Sequence, residues 1–192
     1  MNNKTKSKLN TLRIIAGRWR GRKLAILDFE GLRPTPDRVR ETVFNWLQAD
    51  IGNAHCLDLF SGSGALGFEA ASRGANTVSL VESQAKVAKQ LQDNKQLLSA
   101  EQCAVINTTA QQFLATNQQQ YDIVFIDPPY QADLWQTIAE QLMQQNSLAD
   151  HAYIYLECPS KDTLPILPVQ WQLLKDKQAG EVRYCLFEFQ RK

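Results

Sequence analysis

From His55 onward the chain alternates short apolar, strand-like runs with longer amphipathic, helix-like ones, and that alternation leaves few folds open. His55-Cys56-Leu57-Asp58-Leu59-Phe60 reads as a strand, and Ser61-Gly62-Ser63-Gly64-Ala65-Leu66-Gly67 turns into a helix that reaches Arg73-Gly74. Strands are expected at 77–82, 104–106, 121–126 and 152–156, with helices at 84–98, 110–115 and 134–145 between them. Strands separated by helices must cross over and run parallel, which predicts a doubly wound α/β sheet. Residues 158–168 carry three prolines and read as loop or frayed helix. Trp171 to Lys177 and Arg183 to Phe189 form a closing antiparallel hairpin around Gln178-Ala179-Gly180-Glu181.

What precedes His55 differs in kind. Two apolar stretches, from Leu12 and from Leu24, flank Gly17-Arg18-Trp19-Arg20-Gly21 and read as a β-hairpin. It displays Arg13, Arg18, Arg20, Arg22 and Lys23 around Trp19, a mix that suits folded RNA: guanidiniums take phosphates and an indole stacks on an unpaired base. The alternative is that Trp19 packs beneath the hairpin. Thr35-Pro36-Asp37 has the order of an N-cap, an N1 proline and an early acid. An amphipathic helix of three to four turns follows, with Val39, Val43, Phe44, Trp46 and Leu47 on one face and an end near Asp50-Ile51-Gly52. Arg33, Arg38 and Arg40 lie at its N-terminal end, which places them beside the active cleft.

Composition sharpens this division. The net charge of +1 conceals 11 basic and 3 acidic side chains in residues 1–40, against 10 basic and 17 acidic in the remainder. A basic arm of that kind is the footprint of a protein that meets a polyanion. The expected organisation is a flexible basic tail over 1–10, an RNA-contacting hairpin over 11–32 and a catalytic domain over 33–192. The polar start has no secretory h-region and no apolar run is long enough to span a bilayer, so a cytoplasmic location without membrane attachment is expected. Cys56, Cys103, Cys158 and Cys185 are scattered singly, and with only His55 and His151 beside them no metal site is expected.

The chemistry gathers at three strand ends. Gly62-Ser63-Gly64-Ala65-Leu66-Gly67 is a literal G-x-G-x-x-G between strand and helix, and Glu82 ends the next strand, where it can accept both ribose hydroxyls of an adenosine. A dinucleotide fits this pattern, with its pyrophosphate over the helix N-terminus. So does S-adenosylmethionine, because Asp58 supplies an acid for the ammonium of the methionine part. The shortness of the chain and a second motif favour the latter. Asp127-Pro128-Pro129-Tyr130 follows the apolar run Ile123-Val124-Phe125-Ile126. Two prolines there can simply stop a strand. They can also hold a carboxylate and an aromatic ring around a planar, NH2-bearing base.

Asp58-Leu59-Phe60-Ser61-Gly62-Ser63-Gly64, Glu82 and Asp127-Pro128-Pro129-Tyr130, in that order, resemble the motifs of methyltransferases that act on exocyclic amines of nucleic acid bases. Arg13-Ile14-Ile15-Ala16-Gly17, Gly21-Arg22 and Arg33-Pro34-Thr35-Pro36-Asp37-Arg38-Val39-Arg40-Glu41 narrow the resemblance to the bacterial small-subunit ribosomal RNA guanine-N2 methyltransferase D family, over essentially the whole chain. That resemblance implies a Rossmann-like, seven-stranded, mostly parallel sheet with an antiparallel last strand, helices on both faces and an N-terminal β-hairpin extension. It implies S-adenosyl-L-methionine as donor and the N2 amine of guanine 966 in 16S ribosomal RNA, free or in the small subunit, as acceptor, for a monomeric enzyme. By position, Asp58, Phe60, Ser61, Gly62, Ser63 and Gly64 hold the methionine part and Glu82 the ribose. Thr35 joins this set. The acidic adenine contact of similar enzymes is missing from Asn107-Thr108-Thr109-Ala110, so the contact falls to Thr109 or the backbone at Ala110. Asp127 and the Pro128 carbonyl each accept an N–H of the amine, Pro129 stiffens the turn, and Tyr130 stacks on a base turned out of its helix. RNA contacts are expected from Arg13, Arg18, Trp19, Arg20, Arg22, Lys23, Arg33 and Arg38. Four other readings stay open: a DNA adenine-N6 methyltransferase, a pyrimidine-C5 methyltransferase with Cys158 as nucleophile, a nicotinamide-dependent oxidoreductase and a non-catalytic RNA-binding protein.

Overall fold

The computed structural model describes residues 10–27 and 35–191. Expectations for the tail, for Arg33 and for the segment before Thr35 lie outside the described residues. Strands β1 (Asn10–Arg13) and β2 (Lys23–Ile26) pair antiparallel as a two-stranded hairpin. Helix α1 (Asp37–Trp46) leads to β3 (His55–Asp58), α2 (Ala65–Ser72), β4 (Thr77–Glu82), α3 (Ala85–Leu98), β5 (Cys103–Asn107), α4 (Ala110–Thr116) and β6 (Tyr121–Ile126). A 3-10 turn (Tyr130–Ala132), α5 (Trp135–Gln144), β7 (Leu148–Pro159), β8 (Trp171–Ala179) and β9 (Val182–Phe189) complete the chain.

The main sheet has seven strands in the order β5-β4-β3-β6-β7-β9-β8. Its first five strands pair in parallel, and β9 slots antiparallel between β7 and β8. The seven-stranded Rossmann-like expectation therefore holds. Strand order reverses between β3 and β6, and in such sheets a ligand lies in the crevice outside the carboxyl ends at that point. Asp58 and Asp127 stand there, with Asp58 paired to Phe125 in register.

Both faces of the sheet are buried, so its strands carry continuous apolar runs and their side chains part by alternation. On β6, Ile123 and Phe125 join one core cluster with Val43 and Phe44 of α1, Phe68 of α2 and Leu91 of α3. Val124 and Ile126 join the other, with Leu114 of α4 and Trp135 and Ile138 of α5. The hairpin is no loose appendage, because Leu12, Ile14, Leu24 and Ile26 are part of the first cluster.

Two expectations for α1 need correction. Its N-cap is Pro36, with no side-chain cap; Thr35 is buried and its hydroxyl goes to Glu157. The helix stops at Trp46 and gives way to a hydrogen-bonded turn through Leu47 and Ile51. The third strand, the fifth strand and the closing pair are longer than expected. β7 in particular runs to Pro159 and absorbs the start of the proline-rich stretch.

Candidate active site

Three carboxylates stand at the ends of three adjacent parallel strands and point to one face. Asp58 ends β3 in alternation with Cys56, Asp127 follows β6 in alternation with Phe125, and Glu157 lies on β7 in alternation with Tyr155. Cys56, Phe125 and Tyr155 all belong to the first core cluster, which fixes the face.

Around Asp58 the glycine loop is built by specific needs. Gly64 is left-handed, with φ of 78°, and sits directly before α2. A Cβ on Gly67 would come within 2.1 Å of the Leu80 side chain, so only glycine lets α2 lie this close to β4. That approach brings the Gly67 amide to Asp58 Oδ2 at 3.1 Å. Ser61 donates its hydroxyl to the Asp58 carbonyl at 3.0 Å; in the same loop Phe60 is half-buried and Ser63 buried. Burial pushes the Asp58 carboxyl up to about 7, against the lowering pull of the Gly67 and Phe60 amides. Among the described residues no Lys or Arg forms an ion pair with it. A buried acid without a counter-charge, next to a close-packed loop, fits a ligand that brings its own cation.

Glu82, at the end of β4, accepts the Gly62 amide at 3.0 Å on one oxygen and the Gln84 amide at 2.7 Å on the other. Its carboxylate is thereby fixed against the same loop. Thr109 is spent locally: it caps α4 in a reciprocal box with Gln112, its hydroxyl accepting the Gln112 amide at 3.2 Å. Ala110 lies buried at the first position of that helix.

Asp127 is half-buried, and no described side chain forms an ion pair with it. Burial holds its carboxyl well above the usual carboxylate range, with Glu157 and then Asp58 adding repulsion. Pro128 is buried, whereas Pro129 and Tyr130 are exposed. The Tyr130 ring is 38% exposed and leans on Trp135, with centroids 6.1 Å apart. Trp135 is anchored in turn, donating its indole N–H to the Glu157 carbonyl at 2.6 Å. Cys158 is buried and its thiol is pushed up to about 11, which keeps it protonated; the nucleophile reading is set aside.

The hairpin corrects two further expectations. Trp19 is 4% exposed and belongs to the core, with Arg18 5.7 Å over its ring, so it offers no open face to a base. Arg40 does not line the cleft. It is fully buried against Glu69, Nη1 to Oε2 3.7 Å, and bonds the Arg13 carbonyl at 3.0 Å and Asp37 at 2.6 Å. Arg18, Arg20, Lys23 and Arg38 are exposed; Arg13 is exposed beside Asp37, and Arg22 donates to the Leu97 carbonyl at 2.9 Å. Residues absent from the sequence reading bind this arm to the domain. Glu69 accepts the Ile15 and Ala16 amides at 2.8 and 3.0 Å, while Ser72 accepts the Trp19 amide at 3.0 Å and donates to the Ala16 carbonyl at 2.6 Å. A lone Glu within the apolar helix Ala-Leu-Gly-Phe-Glu-Ala-Ala was the available signal.

Fold and site together define a Rossmann-like α/β domain of the methyltransferase type, with its ligand crevice at the β3/β6 switch point. The family model described as Conserved hypothetical protein 95 matches residues 12–188, and the chain belongs to that family. Ribosomal RNA small subunit methyltransferase D of Escherichia coli is 47% identical over 177 residues, which cover 92% of this chain and 89% of that protein. Its counterpart in Haemophilus influenzae is 49% identical over 181 residues, covering 92% and 93%. The solved yhhF protein of Escherichia coli superposes with a TM-score of 0.90 at 43% identity, over 95% of this chain and all of that one. At 12% identity and a TM-score of 0.67, a tRNA m1G37 methyltransferase from M. jannaschii shares the fold over 97% of this chain and 58% of its own.

Proposed function

We propose that this protein methylates the exocyclic N2 amine of a guanine in small-subunit ribosomal RNA, guanine 966 of 16S RNA by family resemblance, using S-adenosylmethionine and acting as a monomer. The observation that carries this reading is Asp127 at the switch point, beside a glycine loop whose buried acid Asp58 has no counter-charge among the described residues. The relatives named above, which are ribosomal RNA small subunit methyltransferases by name, support the RNA substrate.

S-adenosylmethionine supplies an electrophilic methyl group on a sulfonium. Asp58 and the Gly62–Gly64 turn hold its methionine part, and Glu82, fixed by the Gly62 and Gln84 amides, faces the ribose. The ring conjugates the lone pair of an exocyclic amine and makes it a poor nucleophile. Asp127 and the Pro128 carbonyl each accept one N–H, which turns the lone pair toward the methyl group and stabilises the positive charge that develops on nitrogen. Tyr130, braced on Trp135, stacks on the extruded base. The exposed arginines and lysine of the hairpin neutralise RNA phosphates.

Incubation with labelled S-adenosylmethionine and unmodified small-subunit particles, followed by mass spectrometry of the nucleosides, tests this directly. N2-methylguanosine is expected; N6-methyladenosine, a C5-methylpyrimidine or no product overturns the reading. Asp127→Ala is expected to lower turnover by about two to three powers of ten while leaving S-adenosylmethionine affinity nearly intact.

A further inference from the structure

Asp127 has a neighbour that the methyl-transfer reading leaves without a task. β6 and β7 run parallel with Ile126 opposite Leu156, so Asp127 and Glu157 come next, side by side on the same face. Glu157 is 3% exposed. Its side chain accepts the Tyr155 hydroxyl at 2.6 Å and the Thr35 hydroxyl, and its carbonyl is tied to Trp135. Among the described residues the titratable groups that interact with the pair are Asp58 on β3, Tyr155 and Cys158 on β7 and, beyond Tyr155, Tyr184 on β9. Among the described residues no Lys or Arg pairs with either acid. Two adjacent carboxylates in a low dielectric do not both ionise, because the second charge meets the repulsion of the first as well as the loss of water. Two hydroxyl donors favour the charge on Glu157, while among the described residues Asp127 has no such donors.

We infer that Glu157 is a positioning residue that shares one proton with Asp127, so that the pair presents a single negative charge to the amine and takes up the proton the amine sheds. This rests on Asp127 being the residue that grips the amine. As the N–H approaches Asp127, the shared proton moves to Glu157 and leaves Asp127 an acceptor. The nitrogen's electron pair forms the new N–C bond, and the pair of the broken C–S bond stays on sulfur. The methylated nitrogen then gives one proton to Asp127 and keeps the N–H bonding pair. The two acids are now neutral, and one proton returns to solvent as product leaves.

The test is a pH titration of the protonated-carboxyl infrared band in the full chain, without donor or RNA. Wild type is expected to retain a band at pH values above the range in which Asp58 ionises. In Glu157→Gln, with the fold checked by thermal melting, the midpoint of that band is expected to fall by at least about one pH unit, a tenfold loss of proton affinity. Tyr155→Phe and Thr35→Val, which remove the hydroxyl donors to Glu157, should instead raise it. A midpoint that stays put in all three overturns the shared proton and leaves the methyl-transfer reading intact. In turnover assays Glu157→Gln is expected to lower kcat about tenfold and alter its pH profile, with KM for the particle unchanged. A raised KM with an unaltered pH profile would mark a merely structural role and also overturn the inference. A shifting band with no N2-methylguanosine from wild type would leave the proton pair standing and defeat the methyl-transfer reading instead.

Discussion

Glu69→Ala should detach the basic hairpin from the domain without unfolding the sheet. The Glu69 carboxylate receives two hairpin amides, the Arg73 Nε at 2.7 Å and the nearby charge of Arg40. Arg40 and Glu69 are both 0% exposed, so water cannot step in for either. Arg40 Nε and Nη1 have no hydrogen-bond partner among the described residues, and the charge of Arg40 is compensated by Glu69, 3.7 Å from Nη1, together with Asp37, 2.6 Å from Nη2. Removing one partner of a buried ion pair costs about 3–5 kcal/mol, and each orphaned amide about 1–3 kcal/mol. These costs overlap, because opening the hairpin rehydrates the same groups, so a net loss of about 4 kcal/mol is expected. Glu69→Gln keeps an acceptor oxygen and the shape, and should lose about half of that. Urea unfolding measures the total, and native-state hydrogen exchange locates it. The Ile14 and Gly21 amides, which bond across the hairpin, should exchange about a hundredfold faster or more, with those of β6 unchanged. A loss under about 1 kcal/mol with full protection of the hairpin amides would refute the view that this carboxylate holds the arm in place.

Two glycines of the hairpin turn share φ of 80°, but a Cβ on Gly17 would lie 1.9 Å from the Ser72 carbonyl oxygen, whereas one on Gly21 meets none of the described residues within 4 Å. In urea titrations Gly21→Ala should cost about 1 kcal/mol, the backbone penalty alone, and Gly17→Ala at least twice that. Asp58, with its carboxyl raised from 3.8 to about 7, binds more protons folded than unfolded. Its stabilising contribution is therefore complete below the ordinary carboxylate value and lost as pH rises through about 7. Asp127 and Glu157 act in the same direction. The cofactor-free protein should accordingly melt higher at about pH 5 than at about pH 8, and Asp58→Asn should flatten part of that slope. Replacing Arg18 and Arg20 with alanine should flatten the salt dependence of RNA binding by one to two ions' worth, about 0.9 per phosphate contact, and spare S-adenosylmethionine affinity.

The strand ends that carry Asp58, Glu82 and Asp127 were legible because each follows a run of apolar residues whose length and boundaries are local properties of the chain. Gly67 was legible only in part. Its place in the glycine pattern is visible, but its reason is Leu80, on a strand thirteen residues away, and only the packed sheet brings the two together. Thr35 looked like a helix cap because Pro36 and Asp37 follow it; in the fold its hydroxyl meets a carboxylate from the far end of the chain. Trp19 among arginines looks like a surface reader of RNA, yet the hairpin must bury one face against α2, and the indole is the largest group on that face. Glu157 belongs to no sequence motif. Nothing local distinguishes an acid after a strand that faces solvent from one that faces a second acid on the next strand.

The sequence by itself determined that strands and helices alternate, that three acids and a glycine loop cap their strands, and that positive charge gathers in the first forty residues, because periodicity, turn chemistry and charge count need no partner. The tertiary structure alone decided that β9 enters between β7 and β8, that Glu69 and Arg40 fasten the arm, and that Asp58, Asp127 and Glu157 line up on one face. Those are relations between residues far apart in the chain, and they exist only once burying both faces of the sheet has set which strand lies beside which.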